Sequence, residues 1–416
     1  MEYKEYELGE LIEYRNEKLL IENVSLENYI STENLLPNRN GKQNAEKLPN
    51  TKSVKKYYEN DILISNIRPY FKKIWQAEIP GGASNDVLIL NSCSNNTTND
   101  YLYYYLSQDK FFDYMTQTAK GTKMPRGDKK AILGYEIKVP NIKHIQNYIV
   151  NLGKNIDKKI ETNKKIIANL EELSQTIFKH WFVDFEFPDE NGNPYKSSGG
   201  EMVDSELGKI PKGWECVYLK DIVHHKKDTF NPKKSNESEV KHFSLPAFDS
   251  GQYPTIDYVT DIKSNKWIID ENCILFSKMN PTTRRIWVTL YNENFLNVAS
   301  SEFVVLKSDS SYRNAFIYNI CISDKFNEYL VSNTTGSTNS RQRVKPDIAV
   351  QYRFAYNEEV SYLLSEKIEP YIEKIKIIRE QNQNLTQLRD TLLPKLMSGE
   401  IEIPDDIEVN EDELSI

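Results

Sequence analysis

The chain repeats its own sequence with a period of about 215 residues. Residues 60–65 (NDILIS) and the following Ile74-Trp75 match residues 272–277 (NCILFS) and the following Ile286-Trp287. Further matches keep the same order at offsets of 212 to 216: Pro69 with Pro281, Ala83-Ser84 with Ala299-Ser300, Asp109-Lys110-Phe111 with Asp324-Lys325-Phe326, Tyr114 with Tyr329, Gly121 with Gly336, and Arg126 with Arg341. Because a repeat of this length is as long as a whole domain, the chain is expected to fold into two similar halves.

Each half is predicted to begin with an α+β module of about 140 residues. Short apolar runs, such as residues 61–65 and 87–90, alternate with clusters of Gly, Pro, Asn and Ser, which is typical of strands joined by turns. An aromatic-rich helix is predicted at about residues 98–120, and its counterpart at about residues 311–331. Gly121 and Gly336 then stand where a helix C-terminus favours glycine.

A long helix is predicted after each module, over residues 141–183 and 357–399. Positions spaced alternately by four and three form the seam of a coiled coil in both segments. They are Ile156, Ile160, Asn163, Ile167, Leu170, Ser174, Ile177 and Trp181 in the first, and Tyr371, Ile375, Ile378, Asn382, Leu385, Arg389, Leu392 and Leu396 in the second. A narrow apolar stripe needs a partner, and the duplicate helix can supply it. Asn163 and Asn382 are expected to lower stability while fixing the register.

These patterns divide the chain into six segments: a first target-reading module (1–140), a first long helix (141–183), a connector (184–213), a second module (214–356), a second long helix (357–399) and an acidic tail (400–416). The predicted fold class is α+β, with two similar modules separated by two long antiparallel coiled-coil helices and an internal pseudo-twofold repeat. Pseudo-twofold proteins read two half-sites on DNA. Because the two modules differ in sequence, the DNA site would be bipartite and asymmetric.

The net charge of −8 does not exclude DNA binding, because the excess acid lies at one end. Residues 400–416 carry eight acidic residues and no basic one, which leaves 53 of each sign in residues 1–399. DNA binding needs a local basic face and not a basic total. The tail itself is predicted to be solvated and disordered. With no long apolar run, no N-terminal signal pattern and no CxxC pair among four cysteines, a soluble cytoplasmic protein without structural zinc is expected.

Three segments resemble the specificity subunits of Type I restriction-modification systems: residues 178–185 (FKHWFVDF), 205–215 (SELGKIPKGWE) and 388–401 (LRDTLLPKLMSGEI). The resemblance extends over essentially the whole chain. It implies two target-recognition domains that each read half of a split DNA sequence, and paired helices that set the gap and dock two modification (methyltransferase) subunits. Restriction subunits would join that core. The resemblance also implies that S-adenosylmethionine, ATP and Mg belong to the partner subunits, so no cofactor or metal is expected on this chain.

Two equivalent pairs of loops are the candidate DNA contacts. Residues 120–130 (KGTKMPRGDKK) and 335–345 (TGSTNSRQRVK) are polar, basic and glycine-containing, so they can hold phosphates or donate to a guanine edge. The candidates there are Thr122, Lys123, Arg126, Lys129, Lys130, Ser337, Thr338, Arg341, Arg343 and Lys345. Between two strands of each module lie the further candidates Arg68, Lys72, Lys73, Asn280, Arg284 and Arg285. The alternative interpretation of both pairs is a solvated surface loop, and Trp75 and Trp287 are predicted to be core residues.

Two other functions remain open. An enzyme with its own active site would need catalytic motifs, yet the chain has no GxxxxGK[ST] loop, and Asn193-Pro194-Tyr195 lacks the second proline of an adenine methyltransferase motif. A pure scaffold would bind proteins through its modules. Salt-sensitive binding to DNA would distinguish the predicted non-catalytic specificity subunit from such a scaffold.

Overall fold

The computed structural model describes residues 2–225, 228–269, 273–289, 293–308, 311–336 and 342–404. The chain forms two compact units. The first consists of Met1–Glu161 and Asn384–Ile416, and the second of Thr162–Gln383. Each long helix therefore contributes residues to both units.

The first unit contains ten strands and four short helices in its described residues, followed by a long helix. In chain order they are β1 (Tyr3–Glu7), α1 (Leu8–Leu11), β2 (Ile12–Tyr14), β3 (Lys18–Leu20), β4 (Tyr29–Ile30), β5 (Ser53–Tyr57), β6 (Ile62–Ser65), β7 (Ile74–Gln76), β8 (Gly81–Ala83), β9 (Val87–Ser92), α2 (Asn99–Leu106), α3 (Asp109–Gln117), α4 (Lys129–Leu133), β10 (Glu136–Pro140) and α5 (Lys143–Phe182). A 3₁₀ turn, Pro69–Phe71, lies between β6 and β7.

The second unit follows the same plan with additional strands. Its elements are β11 (Met202–Ser205), β12 (Gly208–Pro211), β13 (Glu215–Tyr218), β14 (His224–His225), β15 (Thr229–Phe230), β16 (Glu239–Phe243), α6 (Leu245–Asp249), β17 (Thr255–Tyr258), β18 (Lys266–Ile269), β19 (Ile274–Ser277), β20 (Ile286–Val288), β21 (Leu296–Ser300), β22 (Phe303–Lys307), α7 (Ser311–Ile322), α8 (Asp324–Ser332), α9 (Pro346–Ala349), β23 (Arg353–Tyr356) and α10 (Glu358–Ser398).

The sheets show that the two units are copies of one design. One sheet has the order β2-β9-β6-β7 in the first unit and β14-β22-β19-β20 in the second. The other has the order β3-β5-β8-β4, and its counterpart β15-β18-β21-β16 adds β17 at the edge. In both copies one pair is parallel, β4 with β8 and β16 with β21. The predicted α+β class and internal repeat are confirmed.

The helix predicted after the strands of each module is two helices. In the first unit α2 ends where the hydroxyl of Ser107 donates to the carbonyl oxygen of Tyr103, 2.7 Å away, and α3 begins at Asp109. In the second unit the hydroxyl of Ser323 accepts from the amide of Phe326 at 3.3 Å and caps α8. Serine side chains compete in this way with the helical backbone bonds. The prediction of one continuous helix at about residues 98–120 and another at about residues 311–331 was therefore wrong.

Each unit has a main core where a sheet meets the helices, and the predicted core tryptophans belong to separate, smaller clusters. Trp75 and Trp287 are buried in the two units. The main core of the first unit combines residues of the sheet and of α2 and α3 with Leu393, Leu396 and Met397 from the end of α10 and with Ile403. Gly153 permits close packing of α5 against α2, because a Cβ there would lie 2.7 Å from the ring of Tyr104.

The two long helices run antiparallel where they pair in the second unit. The amide of Asn163 meets that of Asn382, and farther along α5 Glu171 meets Arg379 of α10. Residue numbers thus rise on one helix as they fall on the other. Seam residues Ile375 and Ile378 are buried, and Ile167 and Leu170 are partly buried against the core of this unit.

The connector between the copies is folded. Residues 202–211 form the β11–β12 hairpin, and the ring of Phe187 stacks on that of Tyr195 with centroids 4.6 Å apart. Phe187, Ile210 and Trp214 belong to the core of the second unit. The acidic tail lies outside the described residues from position 405 onward, so its predicted disorder stays a prediction.

Candidate nucleic-acid interface

In the first unit, the two predicted DNA-contacting loops lie side by side. The loop after β6 and the loop after α3 are joined by a bridge between Ile67 and Arg126. The amide of Arg68 donates to the carbonyl oxygen of Pro125 at 2.8 Å, and the amide of Gly127 donates to that of Asn66 at 3.1 Å. The backbone therefore fixes the positions from which side chains of both loops project.

The second unit repeats these bonds at equivalent positions. A bridge joins Met279 to Arg343. The amide of Asn280 donates to the carbonyl oxygen of Gln342 at 2.9 Å, and the amide of Val344 donates to that of Lys278 at 2.9 Å. Two loops that were predicted separately from the sequence thus form one paired feature in each copy.

The backbone pairing corrects the predicted alignment of the two loops. Arg126 was matched with Arg341 at an offset of 215. In the structure Lys120 bridges Arg126, and its counterpart Thr335 bridges Arg343, so Arg343 is the equivalent arginine. The second loop is two residues longer than the first. Ser337, Thr338 and Arg341 lie outside the described residues, and their DNA contacts stay predictions.

Each of the equivalent arginines is paired with an acid that the sequence analysis missed. Arg126 Nη1 lies 3.1 Å from Asp86 Oδ1, and Arg343 Nε lies 3.1 Å from Glu302 Oε2. The hydrogen bond to Glu302 raises the pKa of Arg343. Both arginine side chains remain about half exposed, at 56% and 45%. Exposed pairs of this kind contribute at most about 1 kcal/mol, so a base edge or phosphate can compete for the arginine.

A signal for these acids was present in the sequence. Asp86 immediately precedes β9 and Glu302 immediately precedes β22, at the same offset of 216 as the matched strands. Both copies thus have an acid at the start of the same strand and an arginine in the same loop. Such a repeated combination indicates an ion pair.

A second ion pair is repeated in the two units, and its cation is Lys72 in the first and Arg284 in the second. Lys72 Nζ lies 2.7 Å from Asp109 Oδ1, and Arg284 Nη2 lies 2.6 Å from Asp324 Oδ1. The two aspartates open the equivalent helices α3 and α8. Burial opposes ionisation of Asp109, but hydrogen bonds from Lys72 and Arg39 outweigh it and lower its pKa. These cations therefore lie at the same place in both copies.

Lys73 and Arg285 point their charges into the protein. Lys73 Nζ donates to the carbonyl oxygen of Thr32 at 2.6 Å, and burial lowers the pKa of Lys73. Arg285 forms two hydrogen bonds to Asp249, at 2.7 and 3.0 Å, and only 15% of its side chain is exposed. Either residue would have to leave these partners to contact DNA.

The remaining described candidates occupy exposed positions on the loops. Thr122 and Lys123 lie at the tip of the first loop, Lys129 and Lys130 open α4, and Lys345 precedes α9. Asp128 accepts a hydrogen bond from the amide of Lys130 at 3.0 Å and so caps α4. Lys129 and Lys130 remain exposed cations that can contact phosphate groups.

Arg68 and Asn280 occupy one backbone position with different side chains. Both have left-handed backbones, with φ of 51° and 49°. Arg68 is half-buried, and its Nε has no hydrogen-bond partner. Asn280 accepts a hydrogen bond from the hydroxyl of Thr282 at 2.7 Å. This exchange gives the two loop pairs different hydrogen-bonding groups at the same point.

The described residues contain neither a metal cluster nor a membrane-crossing helix. Histidine, cysteine and acidic side chains in these parts of the chain do not gather into a group that could hold a metal ion. Their helices, including α5 and α10, are too polar to pass through a bilayer.

Comparison with known proteins gives one consistent result. Residues 1–172 match the family model described as a Type I restriction modification DNA specificity domain. The specificity subunit of the Type I restriction enzyme MjaIX of Methanocaldococcus jannaschii is 26% identical, over 73% of this chain and 69% of the relative. That of the HindI enzyme of Haemophilus influenzae is 23% identical, over 96% of this chain and 100% of the relative.

A solved structure has the same fold. The Type I restriction-modification S subunit from M. genitalium superposes with a TM-score of 0.53 over 97% of each chain, at 14% identity. The family model and the relatives are described as specificity domains and subunits, and not as methyltransferases or nucleases, in agreement with the expected non-catalytic role. The first 172 residues of this chain therefore match the Type I restriction modification DNA specificity domain, and over most of its length the chain is similar to specificity subunits of Type I restriction enzymes.

Proposed function

We propose that this specificity subunit reads a bipartite, asymmetric DNA sequence, one half with each copy of the paired loops. The observation that carries the proposal is the repetition of the arginine–acid pair, Arg126 with Asp86 and Arg343 with Glu302, beside equally repeated backbone bonds. Arginine donates two hydrogen bonds to a guanine edge, and a carboxylate that holds one side of the guanidinium fixes its direction. Arg68 and Asn280 then give the two halves different preferences.

The long helices are proposed to dock two modification subunits, which restriction subunits join in defence against foreign DNA. Ile166, Leu173 and Ile377 lie off the seam, and 38 to 53% of each side chain is exposed. Apolar residues on helices otherwise covered by polar groups mark a protein interface. We expect the isolated chain to be poorly soluble and the complex with methyltransferase to be well behaved. S-adenosylmethionine, ATP and Mg would then be bound by the partner subunits.

Methylation sequencing tests the proposal directly. DNA from cells that express this chain with its genomically adjacent methyltransferase is compared with DNA from cells that lack the chain. The expected result is a new methylated motif with two short defined parts and a fixed undefined gap. Exchange of residues 1–140 for those of another specificity subunit should change one part only. Unchanged methylation in the presence of a stable complex would favour the scaffold function.

A further inference from the structure

The turn Pro69–Phe71 of the first unit presents two exposed aromatic rings. The side chains of Tyr70 and Phe71 are 47% and 39% exposed, and their ring centroids lie 4.8 Å apart. An exposed pair of large rings in contact with each other is costly in water, so such a pair indicates a surface that is covered in the working complex.

The backbone holds this aromatic pair rigidly. Arg68 before it and Lys72 after it both have φ of 51°, a left-handed conformation that is unfavourable for these residues. The amides of Asn38 and Arg39 donate to the carbonyl oxygens of Phe71 and Lys72 at 2.8 and 2.9 Å. A turn fixed by its neighbours presents the rings without an ordering cost on binding.

The charges around the pair favour DNA as the occupant. Arg68 and Lys72 flank the rings in sequence, and the bond from Arg68 to Pro125 places the turn beside the loop that carries Lys123 and Arg126. A polyanion with exposed base faces can contact both the cations and the rings, whereas an apolar protein surface can contact only the rings.

The second unit lacks this feature at the equivalent position. Thr282 and Thr283 replace the two rings, while the backbone bond that closes the turn and its left-handed first residue are kept, and Arg284 supplies a cation at the position of Lys72. The aromatic pair is therefore dispensable for the fold of the turn and is specific to one copy.

We propose that Tyr70 and Phe71 enter a base step of the half-site read by the first unit and partly unstack it. This inference rests on the proposed function, since it assigns the rings to that DNA interface. Apolar wedges kink DNA in this way, and pyrimidine–purine steps yield most easily. The first half-site therefore includes a pyrimidine–purine step, and the second half-site has no such requirement.

The test uses the complete complex with methyltransferase and duplexes that carry the methylated motif. 2-Aminopurine replaces single adenines of the first half-site, but not the adenine that is methylated, because methyltransferases flip their target base. Binding of the wild-type complex should raise the fluorescence at one step several-fold. Tyr70→Ala with Phe71→Ala should abolish this rise and weaken binding about tenfold or more. The dependence of affinity on salt concentration should not change, because no phosphate contact is lost.

Two variants separate the stacking role from a structural one. Tyr70→Phe keeps the ring and should keep the fluorescence signal, while Thr282→Ala with Thr283→Ala in the second unit should leave the first half-site unaffected. Unchanged fluorescence and affinity in the double alanine variant would overturn the proposal. So would weaker binding of methyltransferase with unaltered DNA preference, which would assign the rings to a protein contact. Absence of any split motif in wild-type cells would instead refute the proposed function itself.

Discussion

Asn163 donates from its side-chain amide to the carbonyl oxygen of the Asn382 side chain, 2.8 Å away, and both residues are buried in the seam of the long helices. A second contact at 3.4 Å joins the same amide to Gln381. If one helix shifted along the other, this bond would break and each asparagine would face apolar seam residues. The pair is therefore expected to favour one alignment, and a cost in stability remains the prediction for polar residues at seam positions.

Replacement of one asparagine should cost more than replacement of both. Asn163→Leu removes the buried hydrogen bond that the side-chain oxygen of Asn382 accepts, which should lower stability by about 1–3 kcal/mol. Asn163→Leu with Asn382→Leu makes this point of the seam apolar on both helices, and the double variant should melt above either single variant. Thermal midpoints of the four proteins in a double-mutant cycle measure the coupling. Additive effects would mean that the two amides do not depend on each other.

The ion pair between Arg389 and Asp157 should be important for stability of the first unit. Arg389 Nη1 lies 2.6 Å from Asp157 Oδ1, and the hydroxyl of Tyr104 donates to the other carboxylate oxygen at 2.8 Å. Burial alone would lower the pKa of Arg389, but the carboxylates of Asp157 and Asp390 raise it. Arg389→Met leaves Asp157 poorly solvated without its cation, and should cost about 2–4 kcal/mol.

A matched control for that variant is Lys209→Met. Lys209 pairs with Asp204 at 3.1 Å, but 65% and 89% of the two side chains are exposed, so its loss should cost less than about 1 kcal/mol. Thermal melting of both variants gives the comparison. Equal midpoints would show that the Arg389 pair is as well screened as the exposed one.

Glu369 should make stability depend on pH between about 4.5 and 6. Burial and the nearby Glu373 raise its pKa from 4.5 to about 6, against the opposing effect of Lys376. The folded protein therefore binds this proton more tightly than the unfolded chain, and the contribution of Glu369 becomes more favourable as pH falls from about 6 to 4.5. Glu369→Gln should raise the midpoint at pH 7.5 and have little effect at pH 4. A constant difference across this range would contradict the pKa assignment.

Arg126 and Arg343 should each determine one half of the recognised sequence. Arg126→Ala should relax the preference at one base pair of the first half, and Arg343→Ala at one base pair of the second, by about 1–3 kcal/mol each. Methylation sequencing with each variant gives the altered motif, and competition binding gives the ratio of affinities. A uniform loss across all sequences would show that these arginines contact phosphates.

Lys129 and Lys130 should contribute to affinity without affecting sequence preference. Each is an exposed cation at the start of α4 and can contact a phosphate. Lys129→Ala and Lys130→Ala should weaken binding to all sequences, and each should reduce the slope of log affinity against log salt by about one. Lys209→Ala serves as the control on the connector hairpin. A changed methylation motif would instead indicate contact with bases.

The repeat made the fold predictable, because equivalent residues such as Trp75 and Trp287 occupy equivalent core positions. The division of the aromatic helices was not predictable from apolar periodicity, since it depends on side-chain bonds of Ser107 and Ser323. The apolar pattern of a segment indicates which face is buried. It does not indicate where a single serine hydroxyl ends one helix or caps the next.

The candidate site was predictable as a set of loops and not as individual contacts. The sequence contained both Arg341 and Arg343, and only the bridge to Thr335 identifies the second as the partner of Arg126 in the repeat. Arg285 was a candidate because of its charge, but its partner Asp249 lies 36 residues away and carries no local signal. Pairings between distant segments decide which cations remain available.

The order of synthesis on the ribosome conflicts with the order of assembly in the first unit. Its core includes Leu393, Leu396, Met397 and Ile403, which are translated after the whole second unit. The N-terminal module therefore leaves the ribosome with part of its apolar interior exposed. These residues are covered only after the end of the chain has been synthesised. A nonsense mutation late in the gene, even one that spares the second module, removes these residues. Such a truncation would damage the half that was made first.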